Sequence, residues 1–375
     1  MKGYNKTANL RKGERVDSHK NFKFIASTLV IKDFLLGFQF LGYPLYMYLS
    51  GITPYEIGII YSLEFLSKIM FTPVLYLFKG KEKLSYSLSF VFSSIVFLNL
   101  ALYPSLLTFT VNALLIGFSN SLGSSVTVFM GDLEKSKFPI LGFLRRLFAS
   151  LGFLAFYFTR FVPFSIFYFS FFLIALIPAI LSQFLTLKPV NTRYNLSLGF
   201  IRRVLREFSW YLIYATAIAL FTNMLPIIIH YYTGISVYNE VFYFIIVFTV
   251  SSIGSYLSKA VKGKPLIGCF IISLLILAFM GTGYQPSIMY VVYSFFSAIV
   301  TPNVSYLYAK SINKNIEKIV VISLVTTLIT AFDNFIEGLL ITFNLTSLIF
   351  PLASLLMFLG LVKELSIEAR RDSTT

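Results

Sequence analysis

The sequence predicts an all-α integral membrane protein, with twelve transmembrane helices arranged as two pseudo-symmetric six-helix bundles. Three observations carry this. Of 375 residues, 57% are hydrophobic and 13% charged; a soluble domain carries roughly 25% charged residues, so this chain cannot cover a water-facing surface. Twelve apolar stretches approach the ~20 residues that a membrane-crossing helix needs. Third, one stretch repeats. Gly51-Ile-Thr-Pro-Tyr-Glu, an apolar run to Phe78 and Lys79-Gly80-Lys81 return as Gly234-Ile-Ser-Val-Tyr-Asn, an apolar run to Leu257 and Lys262-Gly263-Lys264. The offset is the same at both ends, as two copies of one unit require.

In chain order, a polar basic segment (1–23) comes first. It has no short apolar core with a small-residue cleavage site, so no removable signal peptide is read and the first span directs insertion. The first bundle (24–187) holds predicted spans at Phe24–Leu49, Glu56–Phe78, Ser85–Tyr103, Leu107–Met130, Phe138–Thr159 and Pro163–Leu187. Pro104 and Ser105 divide the third from the fourth. A linker (188–209) contains Pro189 and a group of basic residues. Its final part, Leu198 to Phe208, reads either as a basic amphipathic helix on the inner leaflet or as a solvated loop. The second bundle (210–361) holds spans at Trp210–Tyr231, Val241–Val261, Pro265–Gly283, Ser287–Ala309, Ile319–Phe343 and Leu345–Leu361. Only Asn344 separates the last two, and a polar tail (362–375) follows.

The net charge is +15. A nucleic-acid surface gathers such charge on one face of a domain, whereas here it sits in short loops between apolar spans. With the N-terminus inside, Arg160 is the only basic residue in an outer loop, and Lys32, Lys68, Arg145 and Arg146 lie within spans. The positive-inside rule then places both termini in the cytoplasm, and the expected location is the plasma membrane. One missed or invented span would put basic loops on both sides, so the alternation also tests the helix count. A lone cysteine, Cys269, and two histidines allow no internal disulfide and lead us to expect no metal site. Phosphate-loop, dinucleotide, zinc-protease and serine-hydrolase motifs are missing, and the loops are too short for a catalytic domain. The reading is a non-enzyme with no cofactor and no nucleic-acid partner.

Six spans plus six, inner termini, a parallel repeat and a basic central loop together resemble the major facilitator superfamily. Gly51-Ile-Thr-Pro-Tyr-Glu-Ile-Gly58 looks like that family's entry into its second helix. Gly117 to Asp132, then Gly142-Phe-Leu-Arg-Arg146 and Gly152, look like its fourth and fifth helices. The loop between spans two and three departs from the family's Gly-x-x-x-Asp-Arg-x-Gly-Arg-Lys. Pro73, Leu77 and Phe78 replace the first Gly, the Asp and the Arg, and only Gly80 matches outright. The inner charge latch supplied by that motif is therefore absent or built otherwise. The resemblance implies that spans two and eleven face each other across the bundle interface.

Ionisable groups inside spans are costly and are functional candidates by default. Asp33 lies ~13 Å from the inner end of its span. It is the first candidate for proton coupling, since a carboxyl in a low-dielectric wall can exchange a proton near neutral pH. The structural alternative is a pair with Lys68, Arg145 or Arg146. Lys32 is expected to snorkel to the interface. Glu64 and Lys68 are i,i+4, as are Asp333 and Glu337, so each pair shares a helix face. If spans two and eleven meet, Lys68 would pair alternately with Asp333 and Glu64 and act as a gate; a static buried pair is the alternative. Arg145 and Arg146 would hold an anionic substrate through their planar forks or anchor to lipid phosphates. Cavity-lining candidates are Gln39, Asn120, Asn223, Asn303 and Asn334, with Asn112, Ser124, Ser125, Thr127, Thr222 and Thr301; such groups more often bond a neighbouring helix. His230 and Glu240 read as surface residues, and the aromatic run 164–172 as lipid-facing.

The functional expectation is a secondary active transporter that moves a small amphipathic solute by alternating access. It would be proton-coupled through Asp33, Asp333 or Glu337 and would act as a monomer among membrane lipids. The alternatives are an uncoupled uniporter and a flippase for lipids or lipid-linked glycans.

Overall fold

The computed structural model describes residues 4–52, 54–131, 133–186, 197–222, 237–313, 315–342 and 345–372. The first half comprises α1 (Tyr4–Leu49), α2 (Pro54–Phe71), α3 (Glu82–Leu102), α4 (Leu106–Gly123), α5 (Val126–Met130), α6 (Lys137–Tyr157) and α7 (Phe164–Leu181). A short connecting helix, α8 (Leu198–Glu207), precedes the second half. That half comprises α9 (Ser209–Thr222), α10 (Val237–Leu257), α11 (Lys264–Met280), α12 (Pro286–Ile312), α13 (Ile316–Thr342) and α14 (Ile349–Asp372). Among the described residues, eight helices are long and apolar enough to cross a membrane, with shorter apolar helices at Ser209–Leu220, Lys264–Met280 and Ile349–Lys363.

Local chemistry sets the boundaries. α2 stops at Phe71, short of the predicted Phe78, because Pro73 lacks the N–H that would continue the ladder; a 3-10 turn covers Thr72–Phe78 instead. Gly80, at φ +76°, then reverses the chain into α3, a conformation that glycine adopts without strain. Ser105 caps α4 by accepting from the Thr108 N–H at 3.3 Å. α1 begins at Tyr4, far before the predicted start at Phe24, since its polar segment contains no proline and several Lys and Arg, which are good helix formers.

Helix pairings in the first half recur in the second. α1–α6, α3–α7, α2–α4, α3–α4 and α1–α7 pack together; so, position for position, do α9–α13, α11–α14, α10–α12, α11–α12 and α9–α14. The halves meet along α6–α10 and α6–α12. They also meet at the end of the bundle that carries the basic loops, where α5 packs on α12 and α13 packs on the Thr72–Phe78 turn.

In lipid, helices associate through packing rather than through water exclusion. α7 therefore has two apolar faces. Ile166, Phe169, Leu173, Ile177 and Ile180 are exposed, while Phe164, Tyr168, Phe171, Ala175 and Ala179 are buried. This corrects the lipid-facing reading of the aromatic run, of which every third or fourth residue turns inward. The Phe38 ring on α1 is fully buried against Phe156, Phe164, Phe167, Tyr168 and Phe171. Aromatic pairs of this kind contribute about 0.5–1.5 kcal/mol each beyond burial.

α8 is a helix and not a solvated loop. Ser197 caps it through the Phe200 N–H at 3.2 Å. Phe200, Val204 and Phe208 bury themselves among Ile312, Ile316, Ile319 and Val320, while Arg202, Arg203 and Arg206 stay exposed. Its apolar face thus covers the second half of the protein rather than a leaflet. Lys318 fastens it by donating to both Glu207 oxygens at 2.9 Å.

Candidate functional site

The site is built on a close crossing of α1 and α6. A Cβ on Gly37 would lie 2.2 Å from the Ala149 carbonyl oxygen, and one on Gly152 would lie 2.1 Å from that of Phe34. Only residues without side chains let the two backbones approach this far. One turn away, Asp33 and Arg145 are brought face to face. Arg145 Nε donates to Asp33 Oδ2 at 2.5 Å and Nη2 to Oδ1 at 3.2 Å. Asp33 is buried, at 8% exposure, and both its oxygens are occupied by the guanidinium fork.

Arg146 points elsewhere, as neighbouring positions on a helix must. It reaches across to the second half. Nη1 donates to the Ser251 carbonyl at 3.1 Å and to Ser255 Oγ at 2.7 Å on α10, and Nη2 to Thr301 Oγ1 at 3.3 Å on α12. Gly142, one turn earlier, permits the approach, since a Cβ there would meet Ser255 Oγ at 2.9 Å. Tyr214, Tyr290 and Tyr293 lie in the electrostatic neighbourhood of this guanidinium. Neither the Ser251/Ser255 pair nor these tyrosines was singled out from sequence. The available signal was a pair of serines at i,i+4 in an otherwise apolar helix.

Between the halves lies a cavity of ≈ 270 Å³. Asp33, Arg145 and Arg146 line it, together with Ser255, Thr301 and apolar side chains that include Phe138 and Phe248. The sequence candidates Asp33, Arg145, Arg146 and Thr301 therefore share one chamber.

The other candidates are placed as follows. Glu64 on α2 accepts from Asn120 Nδ2 on α4 at 3.4 Å. Lys68 interacts electrostatically with Glu64, but among the described residues no ion pair joins Lys68 to Glu64 or to Asp333. Lys32 does not snorkel. Its Nζ lies between α3 and α4, where a Cβ on Gly123 would be 3.6 Å from it and 3.5 Å from Ser89 Oγ; the missing side chain at Gly123 leaves that space. Gln39 and Asn303 are half-buried. Asn112 is structural, accepting from Asn99 at 3.0 Å. Asp333 on α13 is buried, and its Oδ2 has no hydrogen-bond partner. Glu240 is buried at 2% exposure rather than on the surface, because its helix turn packs inward. The side chains of Thr222, Asn334 and Glu337, and residues Asn223 and His230 altogether, lie outside the described residues.

At the basic-loop end a charge latch joins the halves. Lys79, after the Thr72–Phe78 turn, pairs with Glu317 in the first turn of α13. Glu317 is 1% exposed. Its position also places a negative charge at a helix N-terminus, where the helix dipole favours it.

No protein-family model matches the sequence, and no curated protein matches it. Solved structures do. The human organic anion transporter MFSD10 (TETRAN) superposes with a TM-score of 0.68 at 15% identity, over 93% of this chain and 99% of that one. The E. coli fucose:proton symporter FucP superposes at 0.65 and 14% identity, over 91% of this chain and 97% of that one. The chain has the major facilitator fold. At these identities the likeness is one of fold, and it agrees with the resemblance drawn from the repeat and the loop charges. Pro73, Leu77 and Phe78 leave the major facilitator loop motif's charges out, and the charge contact seen at this end is the Lys79–Glu317 pair, to which the loop contributes the cation and α13 the acid.

Proposed function

We propose that this chain is a secondary active transporter that moves a small solute across the plasma membrane by alternating access. Twelve spans form two six-helix bundles, 24–187 and 210–361, which rock about the central cavity. Both termini are cytoplasmic, and the protein works as a monomer. The observation that carries this reading is the cavity itself. It lies between the halves and holds fixed charges, and contacts join one half to the other on its wall and at the basic-loop end: Arg146 on α10 and α12, and Lys79 on Glu317. Bonds of this kind can break and re-form as the halves move. The recurring helix pairings and the transporter fold support the same reading.

Coupling runs to protons, and Asp333 is the favoured carrier. Asp33 is held by Arg145, whereas Asp333 is buried with an oxygen free to take a proton. A fucose:proton symporter among the structural neighbours is consistent with this. The test uses purified protein in liposomes with an imposed pH gradient and a panel of labelled solutes. Gradient-driven accumulation that disappears in Asp333→Asn, while counterflow exchange persists, is the expected result. Flux that follows only the solute's own gradient would make the protein a uniporter. Scrambling of labelled lipid without solute flux would make it a flippase and overturn the proposal.

A further inference from the structure

The geometry points to Arg146 as the group that binds the acid of a small organic monoanion in the central cavity, with capture of the anion releasing the bonds that fasten the two halves. This deepens the transport reading and rests on it. The charge balance of the chamber is the first ground. Its lining contains one carboxylate, Asp33, and two guanidiniums, and Arg145 already engages both oxygens of Asp33. Arg146 bonds only neutral oxygens. Among the described residues, one positive charge therefore faces the cavity without a fixed counter-charge.

The second ground is competition. The guanidinium's present bonds are ion–dipole contacts with neutral oxygens, whereas a carboxylate adds the attraction of a full opposite charge and two oxygens that match the planar fork. Ser255 and Thr301, two of the three Arg146 acceptors, themselves line the cavity. An anion there competes for the same N–H groups without drawing the guanidinium out of the chamber. The bonds it displaces run from α6 to α10 and α12, so occupancy of the cavity and loosening of the interface become one event. Apart from Ser305, the rest of the lining, with Met130, Phe138, Leu141, Phe248 and Pro302, is apolar and suits a hydrocarbon body. A volume of ≈ 270 Å³ is near the lower end of the ~300–1,000 Å³ common for ligand pockets, fitting one or two rings or a short chain.

Calorimetry on the full chain in detergent tests this with benzoate and 2-naphthoate against benzamide and 2-naphthamide, neutral compounds of the same shape. The acids are expected to bind, and the amides to bind roughly ten- to a hundredfold more weakly. Arg146→Gln should bring the acids down to the level of the amides, and Arg146→Lys should retain part of the difference. The double variant Ser255→Ala/Thr301→Val should bind the acids more tightly, because the guanidinium then has only the Ser251 carbonyl to leave; a purely structural Arg146 would not produce that gain. Lys262→Gln, exposed at the basic-loop end, should behave as wild type. Equal binding of acids and amides, no acid binding, or wild-type acid affinity in Arg146→Gln would each overturn the proposal. Should Arg146→Gln fail to fold, weaker acid binding by the Ser255/Thr301 variant would do so. Liposome flux separates the two levels. Arg146-dependent acid binding without flux keeps the site and removes the transport reading, whereas flux of another solute without acid binding does the reverse.

Discussion

The two halves share a helix plan and differ in what they place at the centre. In the first, α1 and α6 cross at Gly37, Ala149 and Gly152 and set the Asp33–Arg145 ion pair beside the cavity. In the second, α9 and α13 hold the corresponding places by their pairings, and α13 contributes Asp333, whose Oδ2 is unpartnered. Lys32, Lys68, Arg145 and Arg146, the basic residues deep in the predicted spans, all belong to the first half, and the second answers Arg146 with neutral oxygens. A duplicated frame can therefore be kept for packing while its chemistry diverges: one copy carries the charge and the other the neutral surface on which that charge rests.

The largest test of this contrast is Arg145→Gln against Asp333→Asn. Removing Arg145 leaves Asp33 buried and uncompensated, which should lower stability by about 3 kcal/mol. Asp333→Asn keeps the shape and removes no charge partner, so it should change stability by less than about 1 kcal/mol. Denaturation midpoints in detergent measure both, and equal losses would mean that the halves are not chemically different. Next, Asp33→Asn combined with Arg145→Gln should recover most of the single-mutant loss, to within about 1 kcal/mol of wild type, because no lone buried charge remains. Independent addition of the two losses would show that the pair is not coupled.

The latch between the halves gives a middle-sized effect. In a Cys269→Ser background, Ser305→Cys places a single thiol on the cavity wall. Adding Glu317→Gln should raise its maleimide labelling rate severalfold, and the exchanged pair Lys79→Glu/Glu317→Lys should return it toward the parent value. An unchanged rate in Glu317→Gln would show that Lys79–Glu317 does not hold this end shut. The smallest effect is expected at Lys318→Met. It loosens α8 from the second half alone, and a partly exposed pair contributes up to about 1 kcal/mol.

Much of the frame was legible because bilayer thickness imposes a length on each apolar run, and because loop charge alternates with each crossing. The span ends were less so. Pro73 stopped α2 early, while the polar start of α1, which has no proline, stayed helical across Gly13. Within the site, intramembrane charge drew attention to Asp33, Arg145 and Arg146, and pairing of Asp33 with an arginine stood as the structural alternative. What the sequence could not separate was the division of labour between adjacent arginines. Their faces differ by ~100°, and which face meets the other half depends on packing hundreds of residues apart. Ser251 and Ser255 stayed hidden for a related reason: a serine that bonds its own backbone and one that accepts from a distant guanidinium look identical in a chain of letters. Lys79 stood out only as part of the repeat's basic loop and Glu317 not at all, since their meeting depends on how α13 docks.

The glycine crossing has a mechanical corollary. With backbones touching at two successive points, α1 and α6 cannot slide past each other and behave as one stiff beam. Beyond the Arg146 bonds to Ser251 and Ser255, the contact of α6 with α10 is of another kind, a row of rings in which Phe153 stacks on Phe244 at 5.5 Å and meets Phe248 at 5.1 Å, with Tyr157 against Phe242 at 5.2 Å. Flat rings without directional bonds tolerate small rotations, so displacement should concentrate along this aromatic seam, which serves as a bearing for the beam.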